Sequence, residues 1–451
     1  MRLSLIALAL VASLGRAAEP FPPDTPEVLG DAAKFGANVQ RTMRLLATST
    51  AAKRNAVRVL FYGQSITEQK WADLVTADLK ARFPHADLTI ENRALAGYSS
   101  QLLVKTAETD LYPFAPDLVI FHVYGAHDKY EDIIRRVRER TGAEVLMQTD
   151  HVTKPTDFTE ETDPAKLPPA GKHWDAFMNQ NWLPTVAKKY GCELCDQRAI
   201  WKRYLTANKL EPKALLSDSV HLNAHGEFLM AECVKAYLRY DPAAKPAADG
   251  YFTSPGFLRS GPVVVPFTGA RVELVFEPGA KPVAVTVDGV KPSEIPGAHA
   301  FTRALAKEGG KWPVVAGMRP TGKPVAEDWT LAMTKDAASP KHFTFTLTGS
   351  VSGPDGDGRT DTTFASKSGR VTIAPDDWNV EYALALRGVK PVPDKLTVTF
   401  KTVLMGADVV GPKQTLVADG LTNGPHELVL TGGSEGIDGV RVTRPPLGRA
   451  K

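Results

Sequence analysis

The feature that most constrains the fold is an alternation of short apolar runs with longer helical segments between residues 57 and 240. Five short runs predict strands, at 57–62, 88–92, 118–123, 144–148 and 192–195. Segments with helical spacing separate them, at 71–83, 128–140 and 174–190. Strands that alternate with helices form a parallel sheet covered on both faces. We therefore predict a three-layer α/β/α domain over residues 57–240.

The sequence pattern changes after residue 240. Residues 241–256 are rich in Pro, Ala and Gly and predict a linker. From 257 to 451, short alternating runs are separated by Gly, Pro and Asp turns, which predicts an all-β sandwich domain. This domain would be a carbohydrate-binding module or a structural element, and we favour the structural role. The Gly/Asp-rich segment 355–361 lacks the terminal glutamate of a calcium loop, so we interpret it as a hairpin turn.

The first 18 residues have the pattern of a signal peptide. A charged start at Arg2 precedes an apolar run over 3–14 and the small residues Gly15 and Ala17. No later segment approaches the roughly 20 apolar residues that a membrane span needs. We expect a secreted or periplasmic protein with no membrane contact after cleavage, and a 19–56 segment that contains a helix; an uncleaved anchor is the alternative.

Composition limits the possible partners. The formal charge is only +3 over 451 residues, without the basic excess of a phosphate-binding surface, so no nucleic-acid partner is expected.

Cys192 and Cys195 form a CxxC, which is open to a local disulfide, and Cys233 would be left over. No Cys or His pair at zinc spacing accompanies them, so we favour buried free thiols and expect neither a metal nor a cofactor.

Polar residues follow the predicted strands at the edge where open α/β sheets bind ligands. Five stretches lie there or in the loop before the last helix: Gly63-Gln64-Ser65, Ala96-Gly97-Tyr98, Gly125-Ala126-His127-Asp128, Thr149-Asp150-His151 and Asp218-Ser219-Val220-His221.

Ser65, His221 and Asp218 are the candidate catalytic residues. Ser65 ends a strand and precedes a helix expected to open near Glu68, and an ordinary helix cap is the alternative interpretation. The Asp-x-x-His spacing lets a carboxylate accept the imidazole Nδ1–H and leaves Nε2 free to take a proton from a serine hydroxyl. For His221 the alternative is a loop histidine held by a neighbouring acid.

At these positions the chain resembles the SGNH (GDSL-like) hydrolases. Residues 63–67 look like the first block, which carries the nucleophile, and 92–97 look like the second, whose glycine N–H helps to bind the oxyanion. Residues 125–128 occupy the third block and 218–221 match the final Asp-x-x-His block. The resemblance covers 57–240 and implies a flavodoxin-like domain with Ser65 as nucleophile, His221 as base and Asp218 as the acid that orients it.

The chain departs from the family pattern at two positions. Gln64 replaces the usual aspartate, as in relatives that act on acetylated sugars, and His127 replaces the asparagine that donates to the oxyanion. The resemblance implies an oxyanion site formed by the N–H groups of Ser65 and Gly97, and a neutral His127 ring can supply the third donor.

Other polar and aromatic residues near these blocks are candidates for binding substrate. We predict a pocket lined by Gln64, Tyr98, Asp150, His151 and Trp174. For the aromatic residues a packing role is the alternative.

The sequence predicts a secreted serine esterase that removes a short acyl group, expected to be acetyl, from a polysaccharide or oligosaccharide. One alternative is a carbohydrate-binding protein on the same scaffold that has lost catalytic activity, with His127 in place of the family's asparagine as the visible change. A second alternative is a metal-dependent deacetylase that uses His127, Asp150 and His151.

Overall fold

The structure is a computed structural model that describes residues 26–167, 174–244, 251–255, 263–432 and 434–447. The predicted signal peptide, residues 1–18, lies outside the described residues.

A five-stranded parallel sheet forms the centre of the α/β domain. Its strands are β1 (Ala56–Gly63), β2 (Asp87–Asn92), β3 (Leu118–His122), β4 (Glu144–Gln148) and β5 (Glu193–Cys195). They lie in the order β2-β1-β3-β4-β5, and every neighbouring pair is parallel. All five residues of β3 and of β4 are buried, as expected for central strands with both faces covered. The predicted parallel, flavodoxin-like sheet is confirmed.

Helices cover both faces of this sheet. They are α1 (Pro26–Leu29), α2 (Gln40–Ala47), α3 (Trp71–Arg82), α4 (Ser100–Asp110), α5 (His127–Arg140), α6 (Trp174–Phe177), α7 (Leu183–Tyr190), α8 (Gln197–Ala207) and α9 (Ala224–Tyr237). Within β1, Val59 and Phe61 face the core under α3, α8 and α9, whereas Leu60 and Tyr62 face the core under α4, α5 and α7. Alternate side chains of one strand thus supply both hydrophobic cores.

The C-terminal region is antiparallel, and we call it the β region (residues 251–255, 263–432 and 434–447). Its strands are β6 (Tyr251–Pro255), β7 (Val263–Gly269), β8 (Arg271–Phe276), β9 (Val283–Val287), β10 (His299–Phe301), β11 (Leu305–Ala306), β12 (Glu327–Lys335), β13 (Phe343–Gly349), β14 (Gly353–Arg359), β15 (Phe364–Ala365), β16 (Thr372–Ile373), β17 (Lys395–Leu404), β18 (Val409–Val410), β19 (Leu416–Ala418), β20 (Gly424–Thr431) and β21 (Ile437–Thr443). Helix α10 (Val380–Leu386) lies between β16 and β17.

The β region contains two hydrophobic cores. The sheets β18-β9-β20-β7 and β19-β8-β21-β6 enclose the first core, which confirms the predicted sandwich. The second core lies on the sheet β10-β17-β12-β13-β14 and includes Val380, Ala383 and Leu384 of α10. This second unit, with its helix, was not predicted, because its strands show the same alternation as those of a sandwich and α10 is only seven residues long.

Two sequence interpretations differ from the structure. The predicted linker includes β6, which pairs with β21, so its last residues belong to the sandwich. The segment 355–361 lies largely within β14 rather than in a turn. Its glycines make room for aromatic rings: a Cβ on Gly358 would lie 2.5 Å from the ring of Phe345 and 2.7 Å from that of Phe364.

Two further expectations concern the helices and the cysteines. Among the described residues, none of the helices has the length and apolar character needed to cross a membrane. Cys192, Cys195 and Cys233 are buried and unbonded, so the expectation of free thiols is confirmed.

We predict that Gly63→Ala destabilises the α/β domain. An added Cβ would lie 2.2 Å from the His122 carbonyl oxygen and 2.4 Å from Thr67 Oγ1, and the carbonyl belongs to the neighbouring strand β3. The free energy of unfolding should fall by roughly 2 kcal/mol or more. Gly424→Ala is the control, because its nearest contact would be at 3.8 Å. Equal urea midpoints for wild type and Gly63→Ala would contradict this packing.

Candidate active site

The serine turn, residues 64–70, joins the end of β1 to α3. The N–H of Glu68 donates to the carbonyl oxygens of Gln64 and Ser65, at 3.2 Å each. Helix α3 begins only at Trp71, so the expectation of a helix opening near Glu68 is wrong. Ser65 therefore lies in a tight turn, half-buried, and not at the first residue of a helix.

The histidine loop, residues 217–223, is ordered by one carboxylate. Asp218 Oδ1 accepts hydrogen bonds from the backbone N–H groups of Val220 and His221, at 2.8 and 2.7 Å. Its Oδ2 lies 2.7 Å from His221 Nδ1. These hydrogen bonds, the backbone one from His221 first, lower the pKa of Asp218 to about 2. The carboxylate is therefore ionised wherever an imidazole titrates.

The structure brings Ser65, His221 and Asp218 together. Ser65 Oγ lies 2.9 Å from His221 Nε2, across 156 positions of sequence. Because the ionised carboxylate accepts the Nδ1–H, the neutral imidazole presents an Nε2 lone pair to the serine hydroxyl. The imidazole and carboxylate side chains are 36% and 55% exposed, so a large molecule can reach them.

Two buried or half-buried side chains fix the histidine loop in place. The amide of Gln69 donates to the Leu222 carbonyl oxygen at 2.9 Å and accepts from the Leu222 N–H at 3.0 Å. On the other side, His151 Nε2 lies 2.8 Å from the Val220 carbonyl oxygen. The residues on both sides of His221 are thus tied to the serine turn and to the end of β4.

The Ala96–Gly97 turn lies beside the end of β1. The N–H of Leu95 donates to the Gly63 carbonyl oxygen at 2.9 Å, which extends the pairing beyond β2. Gly97 has a φ of +80°, in the left-handed region that glycine adopts readily. Within the described ranges, the N–H groups of Ser65 and Gly97 donate to no protein acceptor. Both are therefore free to serve a ligand.

Gln64 links the loops that follow β2 and β3. Its amide nitrogen donates to the Tyr98 carbonyl oxygen at 3.3 Å, and its amide oxygen accepts from the Tyr124 N–H at 3.3 Å. The side chain therefore holds together the backbone on either side of the candidate oxyanion position.

His127 is the first residue of α5, and it lies among aromatic side chains. Its ring stacks on Trp182 with centroids 4.8 Å apart and lies 5.6 Å from the ring of Phe177. Burial lowers its pKa, which favours the neutral imidazole with one N–H.

Asp150 and His151 are buried beneath the surface rather than exposed in a pocket. Asp150 accepts a 3.1 Å hydrogen bond from the side chain of Asn179 and lies 3.2 Å from His122 Nε2. In the part of the chain that the structure describes, no group of three or more His, Cys, Asp or Glu side chains could hold a metal ion. The arrangement of His127, Asp150 and His151 needed for a metal-dependent deacetylase is thus not formed there.

Tyr98 faces the β region rather than a pocket. Tyr98 is fully buried, and its hydroxyl donates to the Pro313 carbonyl oxygen at 3.1 Å and accepts from Asn379 Nδ2 at 2.7 Å. It therefore contacts the β region instead of offering an exposed face to a sugar. Trp174 begins α6, and its side chain is outside the described part of the structure.

Sequence reasoning missed three residues that contact the site. Gln69 follows the first block by two positions, but no pattern shows that its amide pairs with the Leu222 backbone. Trp312 and Tyr382 belong to the β region and donate to the carbonyl oxygens of the Ala96–Gly97 turn. Contacts between units so distant in sequence leave no local signal.

We predict that His151 makes stability depend on pH. Burial, with a smaller effect of His122, lowers the pKa of His151 to about 4. Below about pH 6.5 the unfolded chain binds a proton here that the folded chain does not bind until about pH 4. The free energy of unfolding is therefore at its full value above about pH 6.5, and it falls as the pH drops from about 6.5 to about 4. At pH 5 the loss should be about 2 kcal/mol.

His151→Gln tests this dependence, because the glutamine amide can still donate to Val220 but does not titrate. Urea unfolding of wild type and variant at pH 7 and pH 5 should show the larger loss in wild type. Parallel losses in the two proteins would show that His151 does not cause the effect.

No sequence model of a protein family and no curated protein matches this chain. Among solved structures it is similar to an α/β hydrolase from the metagenome of Lake Arreo, Spain, at 20% identity and a TM-score of 0.33, over 40% of this chain and 94% of that one. It is also similar to an acetylxylan esterase from Geobacillus stearothermophilus, at 17% identity and a TM-score of 0.34, over 41% of this chain and 95% of that one. It is also similar to a protein of Parabacteroides merdae described as a GDSL-like lipase, at 17% identity and a TM-score of 0.33, over 41% of this chain and 96% of that one.

Over about two fifths of its length, the chain is thus similar to solved structures described as an α/β hydrolase, acetylxylan esterases and a GDSL-like lipase.

Proposed function

We propose that this protein is a serine esterase that acts through an acyl-enzyme. The observation that carries the proposal is the pair of distances at His221: 2.9 Å from Nε2 to Ser65 Oγ and 2.7 Å from Nδ1 to Asp218 Oδ2. A carboxylate that orients the imidazole lets the imidazole take the proton of the serine hydroxyl, which makes the serine nucleophilic at neutral pH.

The reaction has two halves. Ser65 Oγ attacks the ester carbonyl carbon while its proton moves to His221 Nε2, and the carbonyl oxygen becomes an oxyanion. When the tetrahedral intermediate collapses, the alcohol leaves with the proton from Nε2 and the acyl group stays on Ser65. Water then repeats the sequence, releases the acid and restores the serine. Throughout, Asp218 holds the Nδ1–H and stabilises the imidazolium that forms.

The oxyanion would be bound by the backbone N–H groups of Ser65 and Gly97, with His127 as third donor. The two N–H groups lack a protein acceptor in the described residues, and the lowered pKa of His127 keeps its ring neutral. Because hydrogen bonds from such preorganised donors strengthen as charge develops, they favour the transition state over the substrate.

For the substrate we propose a short acyl group, acetyl first, on an extracellular polysaccharide or oligosaccharide. The exposure of His221 and Asp218 supports a bulky alcohol portion, because a polymer can approach the site without entering a deep cavity. Gln64 in the first block supports acetylated sugars through the family resemblance. Secretion remains part of this proposal on the pattern of residues 1–18.

We predict that turnover depends on Ser65 and on Asp218, with the larger loss at Ser65. Ser65→Ala should abolish hydrolysis of p-nitrophenyl acetate and release of acetate from acetylated xylan. Asp218→Asn replaces the oxygen that accepts the His221 Nδ1–H by an amide NH₂, so kcat should fall by about 10⁴-fold. Initial rates on both substrates measure these effects.

Ser219→Ala is the matched control, because Ser219 is exposed in the same loop. It should retain wild-type rates, and a chelator should change nothing in any variant. Equal rates for wild type and Ser65→Ala would refute the esterase proposal and favour a carbohydrate-binding protein. Loss of activity with the chelator would point to a metal-dependent deacetylase instead.

A further inference from the structure

Two side chains of the β region hold the Ala96–Gly97 turn of the α/β domain. The indole Nε1–H of Trp312 donates to the Ala96 carbonyl oxygen at 2.9 Å. The hydroxyl of Tyr382, in α10, donates to the Gly97 carbonyl oxygen at 2.6 Å. The peptide groups on both sides of the Gly97 Cα are therefore fixed by a partner more than 200 residues away in sequence.

The planarity of the peptide bond makes the Trp312 contact important for the candidate oxyanion site. The Ala96 carbonyl and the Gly97 N–H belong to the same rigid peptide group, and in the trans form they point in opposite directions. A donor that fixes the carbonyl oxygen therefore fixes the direction of the N–H. A hydrogen bond to the carbonyl also polarises the group, which strengthens the N–H as a donor.

This turn needs an external support because glycine is conformationally permissive. Gly97 has a φ of +80°, and without Cβ it can leave this conformation easily. The β region also closes the space around it: a Cβ on Gly97 would lie 2.7 Å from Leu386 Cδ2 and 3.2 Å from the Tyr382 hydroxyl.

Neighbouring contacts attach the same part of the β region to the site. Lys311 Nζ lies 2.7 Å from Glu68 Oε1, and the same carboxylate oxygen accepts the N–H of Ala96. Arg303 pairs with the buried carboxylate of Asp110 at 2.7 Å. These charge-assisted contacts place Trp312 against the turn and keep it there.

We infer that Trp312 and Tyr382 are positioning residues for the oxyanion-binding N–H of Gly97, so that the β region is a working part of the esterase site. The inference rests on the proposed function and deepens it. It assigns the β region a role in the chemical step, distinct from that of a separate carbohydrate-binding module.

The test uses the full chain with Trp312→Phe and Tyr382→Phe, which remove the donors and keep the rings. Trp378→Phe is the matched control: it also removes an indole N–H from the β region, and within the described residues that N–H has no partner. Steady-state kinetics with p-nitrophenyl acetate give kcat and KM. Inhibition by methylboronic acid, whose serine adduct mimics the tetrahedral intermediate, reports directly on binding at the oxyanion position.

For Trp312→Phe we expect kcat to fall about tenfold with KM unchanged, since the donor is misplaced but not removed. The inhibition constant of the boronic acid should rise by the same factor. Tyr382→Phe should act in the same direction but more weakly, and Trp378→Phe should match wild type. Should Trp312→Phe not fold, Tyr382→Phe carries the test, because its side chain is partly exposed.

The outcomes separate this inference from the proposed function. If wild-type turnover requires Ser65 but both Trp312→Phe and Tyr382→Phe match Trp378→Phe, the esterase stands and the positioning role is refuted. A variant in which kcat, KM and melting temperature all change, with no change in boronic acid binding, also refutes it. If wild-type turnover does not depend on Ser65, both the esterase proposal and the positioning role are refuted.

Discussion

The candidate site depends on the pairing between the Gln69 amide and the Leu222 backbone, because it joins two segments about 150 residues apart. Gln69 lies in the serine turn shortly before α3, and Leu222 lies in the histidine loop shortly before α9. These helices pack side by side on one face of the sheet. Their packing brings the two loops near, and the amide then sets the short distance between Ser65 Oγ and His221 Nε2.

Each side of the site is supported by a different part of the molecule. His151, buried at the end of β4, fixes the Val220 carbonyl oxygen from inside the α/β domain. Trp312 and Tyr382 fix the Ala96–Gly97 turn from the β region. The reactive groups can remain exposed because hydrogen bonds from neighbouring side chains, and not enclosure, hold the surrounding backbone in place.

Much of the α/β domain could be predicted because its signals are local. Each strand, from β1 to β5, matches a short predicted run to within one residue at either end. The rule that ligands bind beyond the strand ends then selected Ser65 and the 218–221 loop. The side chains that orient the site could not be found this way. Gln69 and Trp312 act through backbone atoms far away in sequence, and any polar side chain of similar reach would give the same local pattern. The β region was predicted only as a sandwich because alternation identifies a strand but not the sheet to which it belongs.

The most direct test of the central claim is covalent labelling of the wild-type protein with a fluorophosphonate, followed by peptide mass spectrometry. If Ser65 shares its proton with His221, a single adduct should form on Ser65, and His221→Ala should prevent it. An unlabelled wild-type protein, or an adduct on another residue, would contradict the account.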